Sequence, residues 1–133
     1  MTEEDEDVFY PSYAAVRSFD MVEPMIVAAH QEMSELSKKK QDGVLNELKV
    51  RHINRLLTTA QESLAGSPSL PFLELLDDTS LPQNSDAVLV LGQWLAAMRQ
   101  FKKEHQVYDS GHQVWFTQED ADEAEEWDAE DSS

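Results

Sequence analysis

From Ala87 to Met98 the chain reads A-V-L-V-L-G-Q-W-L-A-A-M, apolar on nearly every side. A helix that is hydrophobic all round is normally buried among other elements. This stretch is therefore the expected centre of the fold. Trp94, Leu95, Met98 and Phe101 continue the pattern at helical spacing, which favours a helix over a buried strand at Val88 to Leu91. Asn84 or Ser85 is the expected N-cap and Asp86 falls in the first turn. Lys102 and Lys103 lie near the other end, where the helix dipole favours cations, and the helix should run to about His105 or Gln106.

Upstream, Phe19, Val22, Ile26, Ala29, Met33 and Leu36 follow spacings of 3, 4, 3, 4 and 3, the seam of a helix packed at a shallow angle. Ser12 caps it, and Lys38, Lys39 and Lys40 end it. Pro24 falls off the seam, so it should kink one helix outward rather than divide it. After a turn at Asp42 and Gly43, a second helix from about Val44 to Ala65 places Leu45, Leu48, Ile53, Leu56, Leu57, Ala60 and Leu64 on one face. Gly66, Ser67 and Pro68 stop it, and the short connection makes the two helices antiparallel neighbours. Pro71 opens a short helical piece, Phe72 to Leu76, expected to plug one end of the bundle. Val8, Phe9, Tyr10, Pro11 and Tyr13 form an aromatic strap before the first helix. Past the turn at Asp109, Ser110 and Gly111, the group Val114, Trp115 and Phe116 should dock on the body. The predicted fold is all-α, a small helical bundle of three longer helices plus one short helix.

Charge divides the chain further. Of 27 acids, five lie in the first seven residues and nine from Glu119 onward, while none of the 10 bases lies in either segment. The formal charge of −17 is therefore concentrated at the ends, and Val8 to Gln118 is only three units negative. A salt-adapted surface would spread its acids over the whole fold. Blocks of this kind read instead as disordered acidic tails. The expected organisation is an acidic tail at 1–7, a helical bundle domain at 8–118 and a second acidic tail at 119–133.

With no cysteine, disulfides, thiolate nucleophiles and Cys-based metal sites are excluded. The start, Met-Thr-Glu-Glu-Asp, lacks the basic and apolar regions of a signal peptide, and the apolar run at Ala87 falls short of the roughly 20 residues of a membrane span. A soluble, cytoplasmic protein with no membrane partner is expected.

Catalytic signals are weak. His30, His52, His105 and His112 stand in no recognised motif. His105, Asp109 and His112 could converge on a metal only if the Gly111 turn folds them together, and His52 reads as a partly buried hydrogen-bonding position on the second helix or as an interhelical contact. Glu32 with Glu35, and Glu62 with Glu74, lack the Glu-x-x-His pairs of carboxylate-bridged metal bundles. The acids from Asp77 to Asp86 lack an EF-hand spacing. No Gly-rich phosphate loop and no nucleophile elbow occur. No cofactor, metal or catalytic residue is assigned.

The remaining signals concern partners. Six of the 10 bases lie between Lys38 and Arg55, and Arg51 and Arg55 share a helix face one turn apart. Strongly acidic ends oppose attraction to phosphate, which argues against direct nucleic-acid binding. Near the C-terminus Trp127 sits within E-A-E-E-W-D-A-E-D. A tryptophan there can anchor in a partner's groove while Glu123, Glu125, Glu126 and Asp128 steer the encounter. An acidic tail could also fold back on the Arg51 and Arg55 patch. The sequence thus points to a non-enzymatic adaptor, inhibitor or regulator that binds a protein partner, a basic or nucleic-acid-handling one in the sharper version. The alternative is a self-associating helical subunit using excess apolar surface such as Trp94 or Trp115, and the third reading is a metal-dependent enzyme.

Overall fold

A computed structural model of the chain describes residues 8–131. The acidic segment 1–7 and the last two residues, 132–133, lie outside the described residues. The fold is mostly helical, with a small two-stranded sheet that the sequence pattern did not predict.

Helix α1, Tyr13–Lys39, starts at Ser12, whose hydroxyl accepts a hydrogen bond from the Ala15 amide at 3.1 Å. Its buried stripe is Val16, Phe19, Val22, Ile26 and Met33, and Pro24 lies inside the helix with its side exposed. The helix is thus continuous through the proline, as the seam predicts. Helix α2, Glu47–Ser63, is capped by Asn46, which accepts from the Lys49 amide at 2.8 Å. It begins three residues later than Val44 because that stretch pairs elsewhere. Val44 bridges to Gln83, the Leu45 amide donates to the Pro82 carbonyl at 2.9 Å, and the Asn84 amide donates to the Gly43 carbonyl at 2.7 Å. Two loops are thereby laced together at one end of the bundle.

Helix α3, Asn84–His105, contains the apolar run. Its N-cap is Gln83, one residue earlier than Asn84, and a capping box with Asp86 closes it. Asn84 is committed to the lacing instead, its side-chain amide donating to the Lys40 carbonyl at 2.9 Å. The structure also moves the centre of the fold. Helix α1, not α3, packs extensively against both other long helices. With three long helices none can be surrounded, so the apolar run keeps an outer side on which Leu89 is 62% exposed.

The piece after α2 is a 3₁₀ turn at Leu70–Phe72, not a helix over Phe72 to Leu76. Leu73 onward is extended because Asn54 holds the backbone of Leu76 through both of its amide atoms. Leu76 is buried, whereas Phe72 points outward rather than plugging the bundle.

Beyond α3 the chain forms a hairpin of β1, Gln106–Asp109, and β2, His112–Trp115, with Gln106 opposite Trp115 and Asp109 opposite His112. Its two-residue loop has Ser110 at φ 51° and Gly111 at φ 87°, the primed geometry that matches strand twist. Trp115 packs edge-on to Phe19 at 4.9 Å and its indole N–H donates to Asp20 at 3.2 Å, so the hairpin docks on α1. Phe116 meets Tyr10 at 5.3 Å. The aromatic strap runs beneath with Pro11 buried, and Phe9 covers Gly66 and reaches the His105 ring at 5.8 Å.

The chain then forms helix α4, Gln118–Asp131, where acidic composition predicts a disordered tail. Local chemistry explains the difference. The Thr117 hydroxyl accepts from the Asp120 amide at 3.2 Å, and the Asp120 carboxylate accepts from the Thr117 amide at 2.9 Å, a reciprocal cap. Glu119 and Asp120 then sit at the positive end of the dipole. Among the described residues no helix is long and apolar enough to cross a membrane.

Candidate protein-docking site

Among the described residues, the hydrogen bonds that tie helix α4 to the rest of the fold are at its root. The Gln118 amide donates to the Pro11 carbonyl at 2.8 Å, and the Glu119 carboxylate accepts from the Tyr13 amide at 3.0 Å. Thr117 is buried, yet every residue from Asp122 to Asp128 is exposed. Ala121, Ala124 and Trp127, spaced three apart, make a narrow apolar stripe on this helix. Trp127 is 62% exposed, and Glu123, Glu125, Glu126 and Asp128 surround it along the helix. The acidic and aromatic groups singled out in the sequence are thus brought together on one projecting element.

Arg51 and Arg55 lie elsewhere. Both are exposed on α2, and neither forms an ion pair with an acid among the described residues. Among the described residues the ion pairs join Lys38 to Glu35 at 3.5 Å and Lys102 to Glu23 at 3.0 Å. The fold-back of α4 onto the arginine patch is therefore not a contact of this structure.

Sequence reasoning missed an open groove between α1 and α2. It holds about 500 Å³ and is lined mainly by apolar side chains, with Met25, Ala29 and Met33 from α1 facing Leu48, Ile53 and Leu56 from α2. Leu48 is 67% exposed and Met25 is 46% exposed. Spacing alone assigns Leu48 to the apolar face of the second helix. It lies at the edge of that face, so a groove and a core look alike in the pattern. His52, expected to be partly buried, is an exposed member of the same groove.

Comparison with protein-family models, with curated proteins and with solved structures gives no match.

The remaining candidates separate. His105 is wedged beside Phe9 and Phe101, with the Phe101 ring 4.5 Å away, and burial pushes its pKa below the ordinary histidine range despite the opposing charge of Glu104. Asp109 and His112 face one another at the hairpin end. Among the described residues no cluster of three or more His, Asp or Glu is placed to hold a metal ion. Trp94 and Trp115 do not supply free apolar surface: Trp94 is 2% exposed with its indole N–H donating to the Glu74 carbonyl at 2.8 Å, and Trp115 is half-buried on Phe19. Both rings are used in folding.

Proposed function

We propose that this chain is a non-enzymatic protein-binding adaptor or regulator that grips a basic partner through α4. The observation that carries the reading is Trp127, 62% exposed on a helix anchored at one end and lined with carboxylates. A large exposed aromatic ring supplies area at low conformational cost, and the acids around it raise the encounter rate with cations. The bundle acts as the platform that holds α4 out from the surface. A partner that handles nucleic acid would present the required basic surface, with the carboxylates standing where phosphates otherwise bind. The cysteine-free composition is compatible with a cytoplasmic setting.

The test compares partner capture from the source lysate by the full chain, by Trp127→Ala, and by a variant with Glu123, Glu125 and Glu126 changed to Gln and Asp128 changed to Asn. Under this reading one basic protein is retained by the full chain, is weakened by either variant, and is released as salt rises. A partner held equally by all three chains would overturn it.

A further inference from the structure

We infer that two copies of this chain pair antiparallel, each seating the Trp127 face of its α4 in the α1/α2 groove of the other. The segment from Glu32 to Arg55, which supplies much of the groove, carries six bases against four acids. It is net positive within a chain of formal charge −17, so everything outside it is more acidic still. Along α2 the groove residues Leu48 and His52 are bordered by Arg51 and Arg55 on the solvent side, one turn apart, and Lys49 lines the groove itself. Glu32 stands on the α1 side, so the groove is an apolar slot whose α2 edge is cationic and whose α1 edge carries one carboxylate.

Helix α4 has the matching chemistry: an Ala121, Ala124 and Trp127 stripe for the slot and carboxylates for the cationic edge. An amphipathic helix laid into an apolar groove is a recurrent mode of recognition, and the exposed Met25 adapts to the ring that enters. Position favours a second copy over the chain's own groove. Helix α4 is rooted where Glu119 meets Tyr13, at the start of α1, while the basic cluster lies toward the opposite end, where Lys38, Lys39 and Lys40 close α1 and Lys49 and Arg51 open α2. In its own chain Trp127 does not line the groove. A molecule with acid at one end and base at the other matches a copy of itself when the two are antiparallel, because both ends then pair. That arrangement is closed and two-fold, which prevents open chains. Long-range repulsion between two acidic chains is screened at about 0.15 M salt, where the Debye length is about 8 Å, whereas close, partly buried pairs are screened less.

The test is the mass of the full chain in solution at that ionic strength over a concentration series, by light scattering or sedimentation. The wild type should move from 15.1 kDa toward twice that mass. Trp127→Ala and Leu48→Glu should each remain monomeric, and both positions are exposed, so folding should survive. A charge exchange decides the geometry. The double variant Arg51→Glu, Arg55→Glu and the double variant Glu123→Lys, Glu126→Lys should each be monomeric alone and should dimerise when mixed, since both contacts are then complementary. A wild type that stays monomeric, a dimer indifferent to Trp127→Ala, or a charge-exchanged mixture that stays monomeric would overturn the pairing. A monomer in which the difference in emission between the wild type and Trp127→Ala is that of a buried indole would overturn it in favour of fold-back within one chain. This readout needs no foreign partner, so it can fail while capture through α4 succeeds, and the reverse.

Discussion

Asn54 and Leu76 exchange two hydrogen bonds across the bundle. The Asn54 side-chain amide donates to the Leu76 carbonyl at 2.8 Å and its oxygen accepts from the Leu76 amide at 2.8 Å. One side chain on α2 thereby does for an extended segment what a neighbouring strand would do, and it allows Leu76 to be buried without orphaning its backbone. Asn54→Ala leaves both backbone groups without this partner, in a part-buried setting. The expected cost is about 1–3 kcal/mol. Urea unfolding should show a lower midpoint at unchanged slope, since the unfolded surface is the same. An unchanged midpoint would mean that water replaces the pair at no cost.

Gly66 has φ +87°, and a Cβ placed on it would lie 2.7 Å from atoms of the Phe9 ring. Gly66→Ala therefore meets two separate penalties, the left-handed backbone at about 1 kcal/mol and the clash with the strap. The two can be parted by a double-mutant cycle. In a Phe9→Ala background the clash is gone, so Gly66→Ala should cost only the backbone share, and the cycle should show coupling. Additive costs would mean that Phe9 is not fixed over Gly66.

Helical periodicity made α1 and the bulk of α2 and α3 legible, because a repeating apolar face survives in any tertiary setting. The elements that sequence did not reveal depend on long-range partners. The extended stretch before Leu76 exists because Asn54, 22 positions away, holds it. The late start of α2 depends on the Gln83 loop, and the hairpin needs Trp115 seated on Phe19. The candidate docking residues split along the same line. Trp127 was legible because a tryptophan among carboxylates has no local way to be buried. The groove was not, since Leu48 and Leu56 share a helical face whether or not a third helix covers it.

His105 should make stability depend on pH near neutrality. Its ring lies 4.5 Å from that of Phe101 and 5.8 Å from that of Phe9, and burial disfavours its charged form. Its folded pKa is lowered, so the unfolded chain binds the proton more readily. The contribution is complete above the unfolded value of about 6.5 and is lost as pH falls below it toward the folded value. His105→Phe keeps an aromatic ring and removes the proton. Between about pH 7.5 and 5.5 the wild type should therefore lose more stability than the variant, measured as the urea midpoint at each pH. Asp77, whose pKa is lowered by the Ser80 and Thr79 amides and the Thr79 hydroxyl, acts in a separate window below 3.8. Equal losses in the two chains would exclude His105 as the source.

Thr117 decides whether α4 stands. The helix has 14 residues, close to the length below which isolated helices are marginal. Its carboxylates at Glu119 and Glu123, and at Asp122 and Glu126, are four apart, where like charges repel. From Asp122 to Asp128 α4 is exposed, so little tertiary packing there offsets that repulsion. The reciprocal cap between Thr117 and Asp120 is then a large share of what favours the helix. Thr117→Val keeps the buried shape and removes the hydroxyl, at an expected cost of about 1 kcal/mol. Because the loss falls on α4, far-UV circular dichroism should show reduced helix while the urea midpoint of the bundle moves little. Proteolysis should likewise cut the variant after Thr117 faster than the wild type, by about fivefold for 1 kcal/mol if cleavage follows the open fraction. A fall in midpoint without a separate loss of helix would make α4 part of the cooperative core rather than an independent arm.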